Sequence, residues 1–106
     1  MTSERLAAIL AEKVMGWGVT RDRFLMGGRR WKPRWRFHPT ENLADAFYLL
    51  EAADPEEYTM GASRTGALWV RVRLRGGTGE ARDSSKARAI TWAVALAAGI
   101  NPEANR

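Results

Sequence analysis

The residues in this sequence best suited to chemistry are Arg29-Arg30-Trp31-Lys32-Pro33-Arg34-Trp35-Arg36-Phe37, where cations alternate with aromatic rings. A guanidinium binds phosphate through two parallel hydrogen bonds, and an indole stacks on a base or on arginine itself. Arg29, Arg30, Arg34 and Arg36 are therefore candidate phosphate ligands, and Trp31 and Trp35 candidate stacking platforms. The same alternation also describes an edge strand with one buried aromatic face, and the pattern alone does not separate the two. A second group is the ladder Arg71, Arg73 and Arg75 beside Trp69. If helices cover only one sheet face the ladder is exposed, and it is then a docking surface, a face that meets a symmetry mate, or a solvated sheet face.

Catalytic chemistry finds little support. An acid, base or nucleophile must be held against a partner. The only histidine, His38, stands before Pro39 at a helix start, a place for a packing or surface residue. With no cysteine, a metal site would rest on carboxylates alone. Gly76-Gly77-Thr78-Gly79 lacks the Lys-Ser/Thr that completes a phosphate loop, so it reads as a hairpin turn. The expectation is a binding protein, not an enzyme, with no cofactor and no metal.

Composition agrees. The chain has 106 residues, 45% hydrophobic and 27% charged, enough for one small core. The absence of cysteine suits a reducing cytosol. Charge appears at once in Met1-Thr2-Ser3-Glu4-Arg5, and even the apolar run from Ile90 to Ile100 is too short for a membrane span. A soluble, cytoplasmic protein is expected. The net charge of +5 is unevenly placed. Residues 21–36 hold seven basic side chains and one acid, Asp22, whereas residues 41–57 hold six acids and no base. A basic segment attracts anions: a nucleotide, a nucleic acid or an acidic protein.

The elements that must position these groups follow from periodicity. Thr2 or Ser3 caps a first helix whose Leu6, Ile9, Leu10, Val14 and Trp17 share a face, and Gly16 stops it. Residues 17–37 lose helical periodicity and read as an irregular loop or loose hairpin about Gly27-Gly28, with Pro33 opposing a central strand. Thr40 caps a second helix with Leu43, Ala46, Phe47 and Leu50 buried, ended by Asp54-Pro55. Tyr58, Met60 and Ala62 alternate weakly. Leu68, Val70, Val72 and Leu74 alternate clearly with Trp69, Arg71, Arg73 and Arg75, and residues 80–83 make a third strand. Ser84 caps a last helix with Ala87, Ile90, Val94 and Ala97 on one face, closed by Gly99 with Ile100 packed behind. The expected fold is α+β: a small antiparallel sheet of about three strands with three helices, one domain over residues 1–100 and a frayed tail at 101–106.

Several strings resemble a known family. Leu10-Ala11-Glu12-Lys13-Val14-Met15-Gly16-Trp17, then Phe37-His38-Pro39-Thr40-Glu41-Asn42 with Ala44, Ala46 and Glu51, then Ala81, Asp83-Ser84 and Ala87-Arg88-Ala89-Ile90 are similar to the phage αβα-sandwich domain, in the right order. Thr91 stands where that family usually has cysteine, the proline usual shortly before Ala89 is missing, and residues 21–36 are unusually rich in arginine and tryptophan. The resemblance implies a helix–sheet–helix sandwich of phage or prophage origin, acting in the cytoplasm of an infected bacterium. The resemblance implies no reaction; small phage proteins of this size often act against host defence, and from that context the expectation is sequestration of a nucleotide-derived signal or blocking of a host protein. A homo-oligomer with its pocket at a subunit interface is expected from so small a domain.

The order helix, three strands, helix from Thr40 onward is also similar to the double-stranded-RNA-binding fold, with Ser84-Ser85-Lys86-Ala87-Arg88 at the phosphate-binding helix start. That family's loop histidine and proline are missing between the first two strands, where Arg64-Thr65-Gly66 stands. Nucleic-acid binding is the alternative function.

Overall fold

The computed structural model describes residues 1–103. In chain order it comprises α1 (Ser3–Lys13), β1 (Gly18–Val19), β2 (Arg23–Gly27), β3 (Arg30–Pro33), a 3-10 turn (Arg34–Arg36), α2 (Leu43–Ala52), β4 (Glu57–Ala62), β5 (Leu68–Leu74), β6 (Gly77–Asp83) and α3 (Lys86–Ala97). The strands form two antiparallel sheets, β1-β2-β3 and β4-β5-β6. The α+β class expected from the sequence is therefore observed, with one more sheet than the periodicity revealed.

The second sheet follows the alternation of its central strand. Val70 and Val72 are fully buried, while Arg71 and Arg73 face solvent. α3 lies across the buried face, closest to β6, and it can do so because β6 has glycine where it crosses. A Cβ on Gly77 would sit 2.8 Å from the Ala97 carbonyl oxygen, and one on Gly79 would strike the Ala93 carbonyl, the Ala97 amide and the Leu96 side chain. α2 packs on another side of α3 through Ala46, Leu49 and Leu50. Sandwiched in this way, α3 is buried nearly all round: Ala87, Ala89, Ile90, Thr91, Ala93, Val94, Ala95 and Ala97.

Several local expectations are corrected. Thr40 does not cap α2; the Asn42 side chain does, accepting from the Asp45 amide at 3.0 Å, and Thr40 is buried in the turn before it. Ser85, not Ser84, caps α3 by accepting from the Arg88 amide. On α2 the buried stripe is Ala46, Leu49 and Leu50; Leu43 and Phe47 are each 41% exposed, because α3 approaches one turn-face away from them. The C-terminal signals at Gly99 and Ile100 hold: Gly99 has φ 81° and Ile100 is buried behind the helix. In the tail expected to fray, Pro102 is buried and the Glu103 amide donates to the Asn101 side chain; residues 104–106 lie outside the described residues.

The first sheet occupies the segment read as an irregular loop or loose hairpin. Its hairpin turns at Gly27 and Gly28, with φ of 98° and 62°, values that favour glycine. Pro33 is tolerated because β3 is an edge strand and ends there. The sheet's inner face brings Val19, Phe24 and Lys32 into register. Phe24 meets Phe37 edge-on at 5.7 Å, and Trp17 packs against both rings and Tyr48. This aromatic cluster joins α1, α2 and the first sheet, and each edge-to-face pair contributes about 0.5–1.5 kcal/mol beyond its burial.

Candidate functional site

The end of the first sheet that adjoins α1 is built by a tight turn at Thr20-Arg21-Asp22-Arg23. The Thr20 amide donates to the Arg23 carbonyl at 2.9 Å, and the Thr20 hydroxyl accepts from the Arg23 amide at 3.2 Å. The same hydroxyl oxygen stands 3.1 Å from the Asp22 carboxylate and 3.0 Å from the Arg23 carbonyl oxygen, either of which can accept its proton. Hydrogen bonds from the Arg23 guanidinium and from Thr20 hold the Asp22 carboxyl below the usual aspartate range. The turn is thus internally bonded and presents the Arg21 side chain outward.

Arg34 is held in place by two hydrogen bonds to this turn. Its amide donates to the Asp22 carbonyl at 3.1 Å, and its Nη1 donates to the Thr20 carbonyl at 3.1 Å, across fourteen residues of chain. The guanidinium carbon stands 5.5 Å from the centre of the Phe24 ring. One nitrogen is spent on fixing the group, and no other hydrogen bond or ion pair of the fork occurs among the described residues, so the guanidinium is oriented without a ligand. Trp35 follows in the 3-10 turn and is 67% exposed, with the Arg36 guanidinium 5.2 Å from its ring. Phe37 then turns back into the core, and the His38 amide donates to the Asp45 carboxylate at 3.0 Å.

Together these residues line a cleft of about 440 Å³. Arg21, Asp22, Arg34 and Trp35 form one wall, Glu4 and Ala7 of α1 the other, with Phe24, Phe37 and His38 completing the lining. The volume lies within the range of small-molecule sites, and the lining mixes apolar surface with a few converging polar groups. The lining offers two guanidiniums, a group type that can bond an anion, beside the Glu4 and Asp22 carboxylates, and an exposed indole, a ring type that can cover a flat group. The lining of this cleft holds no hydroxyl or thiol, and His38 also borders an adjoining hollow lined by Thr2, Ser3, Glu4 and Glu41.

The structure divides the sequence candidates. Arg34 and Trp35 line the cleft. Arg29 and Arg30 lie at the far end of the β2–β3 hairpin, exposed. Trp31 stands on the outer face of the first sheet, 53% exposed, with the Arg23 guanidinium 4.4 Å from its ring. Arg36 reaches the site only by stacking on Trp35. Arg21, Glu4, Asp22 and His38 were not among the candidates. Arg21 had a signal in Thr20-x-Asp22, a turn that bonds to itself and projects its middle residue.

The ladder on the second sheet is exposed on the face away from α3, as its alternation implied. It is not a continuous cationic track. Arg73 bonds the Glu57 carboxylate at 3.1 Å and lies 3.9 Å from Glu56; Glu80 stands opposite Arg71 in register; the Trp69 ring lies over Gly61. Arg75 follows the strand, exposed and with acids on neither neighbour. At the start of α3, Arg88 pairs with Asp83 at 3.5 Å and stacks on Trp92. Of the cations that a double-stranded-RNA-binding reading would use at this helix start, Arg88 is paired with Asp83, while Lys86 is exposed.

A family model, the phage ABA sandwich domain, matches residues 8–96. The chain belongs to that family. A crystal structure of a phage protein from Bacillus cereus ATCC 14579 is similar to it, with a TM-score of 0.74, 17% sequence identity, and coverage of 95% of this chain and 91% of that one. At that identity the likeness speaks for the fold. A search of curated proteins found no match. Within this phage ABA sandwich domain, the cleft draws on residues inside the matched span and on Glu4 and Ala7 just before it. Its cationic wall is built from the stretch in which the sequence is richest in arginine and tryptophan. No helix among the described residues is long and apolar enough to cross a membrane.

Proposed function

We propose that this phage protein is a non-enzymatic binding protein that captures an anionic, nucleotide-type small molecule in the cleft between α1 and residues 20–38. The observation that carries the proposal is Arg34, fixed by its bond to the Thr20 carbonyl beside the exposed Trp35 and Arg21. The two arginines engage a phosphate or comparable anion, and Trp35 stacks on the attached ring. In an infected bacterial cytoplasm, capture of this kind serves as counter-defence by withdrawing a nucleotide-derived signal. A small anion is favoured over a nucleic acid because Arg34 and Trp35 sit in a cleft of small-molecule size, and because Arg73 and Arg88 are paired with acids.

Thermal denaturation with a panel of nucleoside monophosphates, cyclic dinucleotides, ADP-ribose and inorganic phosphate tests the proposal. A ligand at about a hundredfold excess over its Kd stabilises by roughly 2.7 kcal/mol, a rise of roughly 10 °C or more for a domain of this size. No shift with any nucleotide, or a shift equally large with double-stranded RNA, would sink it.

A further inference from the structure

Two exposed apolar patches remain outside the cleft, and they carry opposite charge. The first is the outer face of the β1-β2-β3 sheet. Register places Gly18, Leu25 and Trp31 in one row there, with Arg23 opposite Pro33 in the next. Leu25 lies over Gly18 and is 45% exposed, and Trp31 is 53% exposed. No helix covers this face among the described residues. Its rim is cationic at the hairpin end, where Arg29 and Arg30 are exposed with no ion pair among the described residues, while Arg23 stacks on Trp31 and pairs with Asp22. The second patch is the outward stripe of α2, where Leu43 and Phe47 stand four residues apart and are each 41% exposed. Glu51 continues that stripe one turn on, and Asp54 follows the helix; both are exposed, and neither carboxylate has a partner among the described residues.

Apolar centres with charged rims of opposite sign are the anatomy of a protein–protein contact. We infer that the outer face of the first sheet docks on the α2 stripe of a second copy of this chain. Trp31 and Leu25 cover Phe47 and Leu43, while Arg29 and Arg30 face Glu51 and Asp54. The occupant is a second copy because the chain itself supplies the complement. Packing the sheet face on its own symmetry mate would instead set Arg23, Arg29 and Arg30 against the same cations. A nucleic acid is disfavoured because the Trp31 ring is already stacked by Arg23, and the middle of the patch is aliphatic. The contact is independent of the ligand cleft, since none of its residues lines it.

Sedimentation velocity of the full chain, over a range of concentrations at low salt, is the test. The wild type sediments as an assembly larger than a monomer and weakens as salt rises. A variant with Arg29→Glu and Arg30→Glu, and another with Glu51→Lys and Asp54→Asn, each associate about tenfold more weakly or worse, with thermal midpoints near that of the wild type. An equimolar mixture of the two restores association, because each altered patch then meets its new complement. Trp31→Asp, at a residue more than half exposed, provides a second disruption that does not rely on the charge pairs. A wild type that is monomeric at every concentration, association that persists in the variants, or a mixture that stays monomeric would each overturn the inference.

Discussion

Thr91→Val removes a single hydrogen-bond donor at the junction between the core and the cleft. The Thr91 hydroxyl donates to the Pro39 carbonyl at 2.7 Å, across 52 residues of chain, and is fully buried in the middle of α3. Pro39 is also fully buried, so no water replaces the lost donor. Valine fills nearly the same volume, which isolates the hydrogen bond from packing. An unsatisfied buried carbonyl costs about 1–3 kcal/mol, offset in small part by the more apolar side chain. For a domain of about 100 residues, 1 kcal/mol corresponds to roughly 4–8 °C, so the midpoint falls by roughly 5–20 °C. Urea titration should show a lower midpoint with an unchanged slope. Thr91→Ser keeps the donor and deletes a methyl group, at a cost of about 1 kcal/mol. It should therefore be the milder change. A Thr91→Val midpoint at or above the wild-type value would refute the reasoning: the Pro39 carbonyl would then have another partner, or the bond would contribute nothing.

Gly79→Ala drives a methyl group into the backbone of α3 at Ala93 and Ala97, which cannot yield as a flexible side chain would. A loss of about 1–3 kcal/mol or more is expected by thermal unfolding, and a near-neutral result would mean that α3 does not lie so close to β6. Asp22 is held below its ordinary pKa of 3.8 by Arg23 and Thr20, so its stabilising contribution is complete above that value and fades as pH falls through the folded-state pKa. The difference in melting midpoint between the wild type and Asp22→Asn should therefore be present at pH 7 and shrink below about pH 4. A difference that does not change with pH would remove the carboxylate from the account.

Most of the second sheet and its helices was legible in the sequence. Leu68, Val70, Val72 and Leu74 alternate with Trp69, Arg71 and Arg73 because one face of β5 meets α3 and the other meets water. Of the first sheet only the loose hairpin about Gly27-Gly28 was legible, for physical reasons. β1 has only two residues, and the β2–β3 register shifts between Leu25 and Gly27, which breaks any period of two. The burial signal is also inverted, with Lys32 turned inward beside the Trp17 and Tyr48 rings while Leu25 and Trp31 face outward. On α2 the exposure of Phe47 and the burial of Leu49 depend on where α3 lies, which helical spacing alone does not state. The cleft shares that origin. Arg34 and Trp35 stood out by type, but Glu4, Arg21 and His38 meet them only because α1 and the Thr20 turn converge there.

The central claim is that the cleft, and not the arginine-rich hairpin at large, holds the ligand. Isothermal titration of a nucleotide that stabilises the wild type, repeated on two double variants, tests it most directly. Arg34→Ala with Trp35→Ala removes the fixed guanidinium and its neighbouring indole, and should abolish measurable binding or weaken it by about a hundredfold, the worth of one charged hydrogen bond and one stacked ring. Arg29→Ala with Arg30→Ala removes the same number of side chains, both of them cationic, from outside the cleft and should leave the affinity within about twofold. Equal losses in the two variants, or undiminished binding by the first, would contradict the account.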